Sequence, residues 1–384
     1  MRIPNIQFKD HFLFKDLKLN FINSKTGKPY TIIAFVGENG CGKTTLLNEI
    51  FDYNNSTKIV NKLDYNKFLV LLYLRHNSIY TNSMNKSYKL ITGDSLYSNT
   101  SINGRLLKST EDSDSINFLM QSIKKLKDNQ ITNLIEKGEL KDVACAHQLS
   151  QAISGEENVI DIEKYSSGQQ EIVLKLKDLQ LLNNDTDIVL IDEPEEALHP
   201  RWQQKIMKIL ISIVLGKNKN AQIFIATHSE KVLESLLGRD DTLIVRLYNH
   251  SKHIEFETIT QMKLLLPKTT IAELDYVIFH ISTLEYHNQI YGHLGNLLHE
   301  EKIYKIDAKI EEMVKRIVGL KYSSYVKEYT YNSRIYKMLP TYIRNAYHHP
   351  AATTRITTKE LEKSIRLLRK LISLIQKKTE DGEN

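Results

Sequence analysis

Three groups of residues in this chain have the types and spacing to do chemistry. The first is Gly37-Glu38-Asn39-Gly40-Cys41-Gly42-Lys43-Thr44, which fills the pattern G-x-x-x-x-G-K-S/T directly after a β-branched and aromatic run, Thr31 to Val36. Gly37, Gly40 and Gly42 allow turns tight enough to aim successive backbone N–H groups at phosphate oxygens. Lys43 brings a charge to the outer phosphates and Thr44 a hydroxyl to Mg2+, with Asn39 and Thr45 as further contacts. The second group is a pair of carboxylates, Asp192 and Glu193, ending the apolar run Ile188-Val189-Leu190-Ile191. In that position the first can hold the Mg2+ shell and the second can orient or deprotonate a water. The third is His228, at the tip of the run Gln222 to Thr227. Ligands of open α/β sheets bind where the strands' C-terminal ends point, so Lys43, Asp192 and His228 are expected to share one crevice.

The elements that position these residues can be read from the flanking pattern. Leu46-Leu47 continues the glycine-rich loop as a helix whose positive N-terminal end faces the phosphates. Before the loop, Phe8, Phe12, Phe14, Leu17, Leu19 and Phe21 mark two strand-like runs, expected as a small antiparallel sheet. After it, Phe68 to Leu74 reads as a buried strand whose polar end, Arg75-His76-Asn77-Ser78, should lie near the nucleotide. Residues Asn82 to Ser113 are polar and read as an excursion with little core. Apolar positions from Ile116 to Ile135 follow helical spacing, so a helical insertion is expected over about 82–160. Tyr165-Ser166-Ser167-Gly168-Gln169-Gln170-Glu171 is a turn opening a helix. Thr242 to Leu247 and Ile254 to Ile259 bracket a hairpin. Beyond a boundary near Gln261 to Thr270 the chain reads as nearly all helix: Ile271 to Leu298, Lys302 to Val318, Tyr322 to Met338 and Thr358 to Ile375. The expected architecture is therefore an α/β domain over 1–260, followed by an all-α bundle over 270–384.

Composition bounds the class. The 384 residues are 41% hydrophobic and 26% charged, and no apolar run approaches the roughly 18 residues of a membrane span. The first residues lack a secretory pattern and one of the two cysteines lies inside the glycine-rich loop, so a cytoplasmic protein without a structural disulfide is expected. The net charge of +6 is unevenly spread. From Lys302 onward basic residues outnumber acidic ones about two to one, with tyrosines interleaved, a mixture suited to RNA or DNA.

Taken in order, GENGCGKTT, YSSGQQE, IVLIDEPEEALHP and IATHSE resemble the motifs of an ABC-type ATPase of the SMC-like branch, the kind found in DNA repair and antiphage defence. The resemblance covers roughly residues 1–258. It implies a homodimer with ATP sandwiched between one copy's glycine-rich loop and the other's Ser166, Gly168 and Gln169, with possible higher assembly. It also implies Asp192 and Thr44 on the metal, Glu193 on the attacking water and His228 on the γ-phosphate. Tyr165 and Ser167 depart from the family's LSGGQ, and no glutamine follows the strand ending at Leu74.

Within the C-terminal part, Arg344 and His349 in Tyr342-Ile343-Arg344-Asn345-Ala346-Tyr347-His348-His349-Pro350 have R-x-x-x-x-H spacing and are similar to the HEPN family of helical ribonucleases and toxins. That likeness implies a histidine taking the ribose 2′-OH proton and an arginine holding the scissile phosphate, without metal. Two readings remain open at the level of sequence. The chain is a self-contained ATPase with an RNA-cleaving domain, or an ATPase sensor and scaffold that docks a separately encoded nuclease or toxin. His287, His293 and His299 are six apart and share no helical face, so a zinc site is not expected.

Overall fold

The computed structural model describes residues 2–52, 57–59, 71–75, 78–83, 86–92, 187–196, 198–250, 253–331, 333–349 and 355–380. The chain divides into two compact units, Met1–Thr260 and Gln261–Asn384.

In the first unit, β1 (Asn5–Gln7) and β2 (Lys18–Asn20) pair antiparallel, the small lead-in sheet that the spaced phenylalanines predict. An eight-stranded sheet follows, built from β3 (Ile32–Val36), β4 (Leu71–Arg75), β5 (Ser78–Ser83), β6 (Lys86–Thr92), β7 (Ile188–Asp192), β8 (Gln222–Thr227), β9 (Thr242–His250) and β10 (His253–Thr258), in the order β10-β9-β3-β8-β7-β4-β5-β6. Its centre is parallel, from β9 through β3, β8 and β7 to β4, and both edges are antiparallel hairpins. Every residue of β3, β7 and β8 is buried, which is why these strands read as continuous apolar runs with no alternation.

The helix α1 (Lys43–Phe51) lies on β7 and β8 through Leu46, Leu47, Ile50 and Phe51. Under it, Phe224 packs edge-on against Phe21 and parallel to Phe35. Helices α2 (Pro200–Lys217) and α3 (Glu230–Leu236) pack on each other, α3 burying Val232, Leu233 and Leu236. The buried Gln222 ties the start of the chain to β8, accepting from Ile3 N–H at 2.7 Å and donating to Ile3 O and Tyr30 O.

One expectation is corrected here. The polar excursion expected from Asn82 begins with strand, because β5 and β6 pair antiparallel and continue the sheet to Thr92. β-Branched and aromatic residues recur at Ile79, Tyr80, Thr81, Tyr88 and Ile91 among the polar ones, which is sufficient for an edge hairpin. The helices expected from Ile116, and the turn Tyr165 to Glu171, lie outside the described residues.

The second unit consists of α4 (Ile271–Phe279), α5 (Leu284–Leu297), α6 (Ile303–Arg316), a 3-10 turn at Tyr322–Tyr325, the hairpin β11 (Val326–Tyr331) and β12 (Arg334–Met338), α7 (Leu339–His348) and α8 (Thr358–Glu380). Tyr286, Ile290 and Leu294 of α5, Ile306 and Ile310 of α6, Ile343 of α7 and Ile365, Leu368 and Ile372 of α8 form its core.

This unit is not the all-α bundle expected. Tyr322 to Met338 is mostly a hairpin, not a helix: side chains alternate between half-buried and exposed along β11, and Ser333 takes a left-handed turn conformation at φ 60. The single helix expected over Ile271 to Leu298 is two. His280 ends α4 in the left-handed region at φ 57, and Thr283 restarts the chain by accepting from Tyr286 N–H. Between hairpin and α7, the buried Asp307 of α6 accepts from Lys337 N–H at 2.9 Å and Met338 N–H at 3.1 Å, fixing the start of α7.

Candidate phosphate site and its carboxylates

The register of three adjacent strands brings the candidate residues to one edge of the sheet. Val36 pairs with Thr227 and Asp192 with Ala226, so the segments after β3, β8 and β7 emerge side by side. The glycine-rich loop leaves β3 at Gly37 and enters α1 at Gly42, which caps the helix with no side-chain hydrogen bond. Neither a side-chain cap nor an acid in the first turn satisfies the leading N–H groups of α1, the arrangement that favours an anion.

Lys43 is buried and donates to Gly37 O and Glu38 O, both at 2.9 Å, with Cys41 Sγ at 3.8 Å. Its ammonium is thus seated in the loop that would hold phosphate oxygens. Asn39 and Gly40 are exposed at the loop's tip; Thr44 and Thr45 are half-buried in the first turn of α1. Burial raises the thiol pKa of Cys41 above its ordinary value, so it is a packing residue here.

Thr44 and Asp192 meet across the sheet: Thr44 Oγ1 donates to Asp192 Oδ1 at 3.1 Å. A hydroxyl and a carboxylate converging in this way are a hard-oxygen donor pair suited to Mg2+, whose remaining positions nucleotide oxygens and water can fill. Among the described residues there is no cluster of three or more His, Cys, Asp or Glu that would cage a metal by itself.

Beyond Asp192 the chain turns sharply. Glu193 has φ 46, an uncommon conformation for a side-chain-bearing residue, and its N–H donates to Ala226 O at 2.9 Å. Its carboxylate is 34% exposed and Oε1 lies 3.4 Å from His228 Nδ1. The sequence reading gave no role to Glu195, two residues on. Glu195 is 3% exposed, and its Oε1 accepts from Thr227 Oγ1 at 2.6 Å and from His228 N–H at 3.0 Å, and lies 3.4 Å from His228 Nδ1. Three acids, Glu193, Glu195 and Glu196, flank Pro194; Glu193 and Glu196 stay partly exposed while Glu195 turns inward, a choice the spacing alone does not make.

In the second unit, Arg344 is half-buried on α7 and donates to Asn345 Oδ1 at 2.9 Å; Asn345 donates to Tyr329 OH, which donates to Thr341 O at 3.2 Å. His349 is exposed at the C-terminus of α7 and stacks on Tyr331 with ring centroids 4.9 Å apart. Desolvation lowers the pKa of neighbouring His348, with further lowering by the charges of Arg344 and His349. Ser166, Gly168 and Gln169 lie outside the described residues.

The family model described as "AAA domain, putative AbiEii toxin, Type IV TA system" matches residues 61–234, which begin after the glycine-rich loop. Among solved structures the chain is similar to a metal-chelate type ABC transporter in an inward-facing conformation, at 15% identity over 87% of this chain and 93% of that one, with a TM-score of 0.37. It is also similar to an SMC head bound to the C-winged helix domain of ScpA, at 11% identity over 67% and 98%, with a TM-score of 0.33. A third similar chain, described as RNase-L Inhibitor, is 14% identical over 66% of this chain and 39% of its own, with a TM-score of 0.33. No helix among the described residues is long and apolar enough to cross a membrane.

Proposed function

We propose that the chain is an ABC-like ATPase that binds ATP with Mg2+ and hydrolyses it. The observation that carries this reading is the contact of Thr44 Oγ1 with Asp192 Oδ1 beside the seated Lys43, which brings together a phosphate cradle and a metal-binding pair from sequence positions about 150 apart. Mg2+, when bound, supplies charge neutralisation on the phosphates. Lys43 and the first-turn N–H groups of α1 hold the phosphate oxygens. Glu193, partly exposed, accepts the proton of the attacking water, and His228 beside it faces the terminal phosphate. By the resemblance, Ser166, Gly168 and Gln169 of a second copy complete each site, so ATP closes a homodimer.

The test is a pair of variants. Lys43→Ala should lose ATP binding, whereas Glu193→Gln should bind ATP, hydrolyse it slowly and accumulate as a dimer with ATP and Mg2+ in light scattering. A Lys43→Ala protein that turns over ATP like the parent would overturn the reading.

At a finer level, the ATP-gated dimer controls a toxic nuclease in antiphage defence. One specific observation favours a nuclease in the chain itself over a separately encoded partner. Arg344 is held by Asn345 on the same helix whose C-terminus presents His349 to solvent, which puts a cation for a phosphate and an imidazole for proton transfer on one element. The counter-experiment is expression in cells: Arg344→Ala and His349→Ala proteins as toxic as the parent would make the second unit a docking platform.

A further inference from the structure

The two carboxylates beside His228 lie at the same distance from its ring and differ in burial and bonding. Glu193 is partly exposed, has a positive φ, and lies 3.4 Å from Nδ1. Glu195 is buried, and one oxygen, Oε1, takes the Thr227 hydroxyl, the His228 amide and the approach of Nδ1. Its other oxygen, Oε2, is buried with no hydrogen-bond partner among the described residues. A buried carboxylate with one oxygen unpaired is costly to maintain, so the arrangement calls for a compensating role.

We propose that Glu195 is a positioning residue for His228: it fixes the turn that carries the ring and holds the proton on Nδ1, so that Nε2 is the ring nitrogen left to face the nucleotide. This rests on the ATPase reading above and deepens it. The positional half follows from the bonding chain. Thr227 Oγ1 donates to Glu195 and accepts from Ser229 N–H at 3.0 Å; Ser229 Oγ donates to Gln203 at 2.8 Å and accepts from the leading N–H groups of α3. Residues 227 to 229 and the start of α3 thus hang on one buried carboxyl group. The tautomeric half follows from charge. Glu193 Oε1 and Glu195 Oε1 each lie 3.4 Å from Nδ1, and an ionised carboxylate accepts but cannot donate, so a proton on Nδ1 is the favoured state. The buried position also sets the division of labour, since Glu195 cannot reach solvent water and Glu193 can.

The experiment compares Glu195→Gln with Glu195→Ala in the full chain. Glutamine keeps an oxygen for Thr227 and the His228 amide but loses the charge. Glu195→Gln should leave KM for ATP within about threefold while kcat falls on the order of tenfold to a hundredfold, the scale of a misplaced catalytic group. A second readout needs no turnover: nitrogen NMR of histidine-labelled protein, with His228→Gln to assign the signal. The parent should show the Nδ1-protonated ring, and Glu195→Gln should show a shift towards the Nε2-protonated one. A Glu195→Gln protein with the parent's kcat and the parent's tautomer overturns the proposal, and loss of kcat in Glu195→Ala alone reduces Glu195 to a packing residue. If the parent hydrolyses no ATP, the ATPase reading fails, and the tautomer measurement still decides what Glu195 does to the ring.

Discussion

Replacing Gly37 and Gly40 with alanine separates two kinds of strain within one loop. Both glycines have positive φ, 147 at Gly37 and 79 at Gly40. A Cβ on Gly40 would meet nothing within 4 Å, so Gly40→Ala carries only the backbone cost, about 1–2 kcal/mol. A Cβ on Gly37 would lie 2.3 Å from Leu247 O and 2.9 Å from Cys41 Sγ. Leu247 belongs to β9, between β3 and β10, so its carbonyl cannot retreat without opening the sheet. Relieving that overlap needs a shift of about 0.7 Å before the contact reaches 3.0 Å. Overpacking of this kind costs about 1–3 kcal/mol, added to about 1–3 kcal/mol for the backbone. Gly37→Ala should therefore lower stability by about 4 kcal/mol and exceed Gly40→Ala by roughly 2 kcal/mol or more. The sole tryptophan, Trp202 of α2, lies in the first unit, so urea unfolding followed by its fluorescence reads that unit. Equal losses in the two variants, within about 0.5 kcal/mol, would refute the assignment of Gly37 to a close backbone approach.

Three further outcomes are expected. If the second unit cleaves RNA as proposed, the parent should yield cyclic-phosphate products, and His349→Ala and Arg344→Ala should each abolish them while ATP hydrolysis continues, measured on the same preparations. Asp307→Ala leaves the amides of Lys337 and Met338 without their acceptor and should destabilise the second unit by about 3 kcal/mol, with Asp307→Asn losing about half as much; hydrogen exchange of the β12 to α7 segment would show it. Burial lowers the pKa of His287 to about 3, with its Nε2 bonded to Ser364 Oγ at 2.8 Å. Below about pH 6.5 the unfolded chain's imidazole takes a proton that the folded one refuses, so stability is lost as pH falls from there towards 3, at up to about 1.4 kcal/mol per pH unit. Unfolding followed from pH 7 to 5 should be flatter in His287→Gln, and parallel curves would exclude this histidine as the cause.

Much of the first unit is legible in the sequence because its parallel strands are buried on both faces. Ile32–Val36, residues 188–191 and residues 223–226 are unbroken apolar runs, and the chain just past each leads to the glycine-rich loop, to Asp192 and to His228. Glu195 was not legible, because its role depends on which of the acids flanking Pro194 turns inward, and that is settled by Thr227 and the His228 amide across the sheet. The second unit was harder for a similar reason. Tyrosines at 322, 325, 329, 331 and 336 are compatible with helix or strand, and the outcome follows from non-local partners: Tyr329 stacks on Tyr336 across the hairpin and meets Tyr342 edge-on.

Non-local contacts also separate the two adjacent histidines His348 and His349. His348 shares a hydrogen bond through Nε2 with Asn288 Oδ1 at 3.0 Å, which ties its ring to α5. His349 has its backbone N–H on Asn345 O, and among the described residues its exposed ring stacks on Tyr331. The Asn288 bond occupies one nitrogen of His348 and leaves Nδ1 outside it, so the contact fixes the position of the ring and gives His348 a packing role. The R-x-x-x-x-H spacing singles out His349 by pattern, and the α5 contact sets its neighbour apart as a residue that packs. His348→Ala should therefore loosen the packing of α7 against α5, read by hydrogen exchange in α7, whereas the proposed cleavage expects His349→Ala to leave that packing intact.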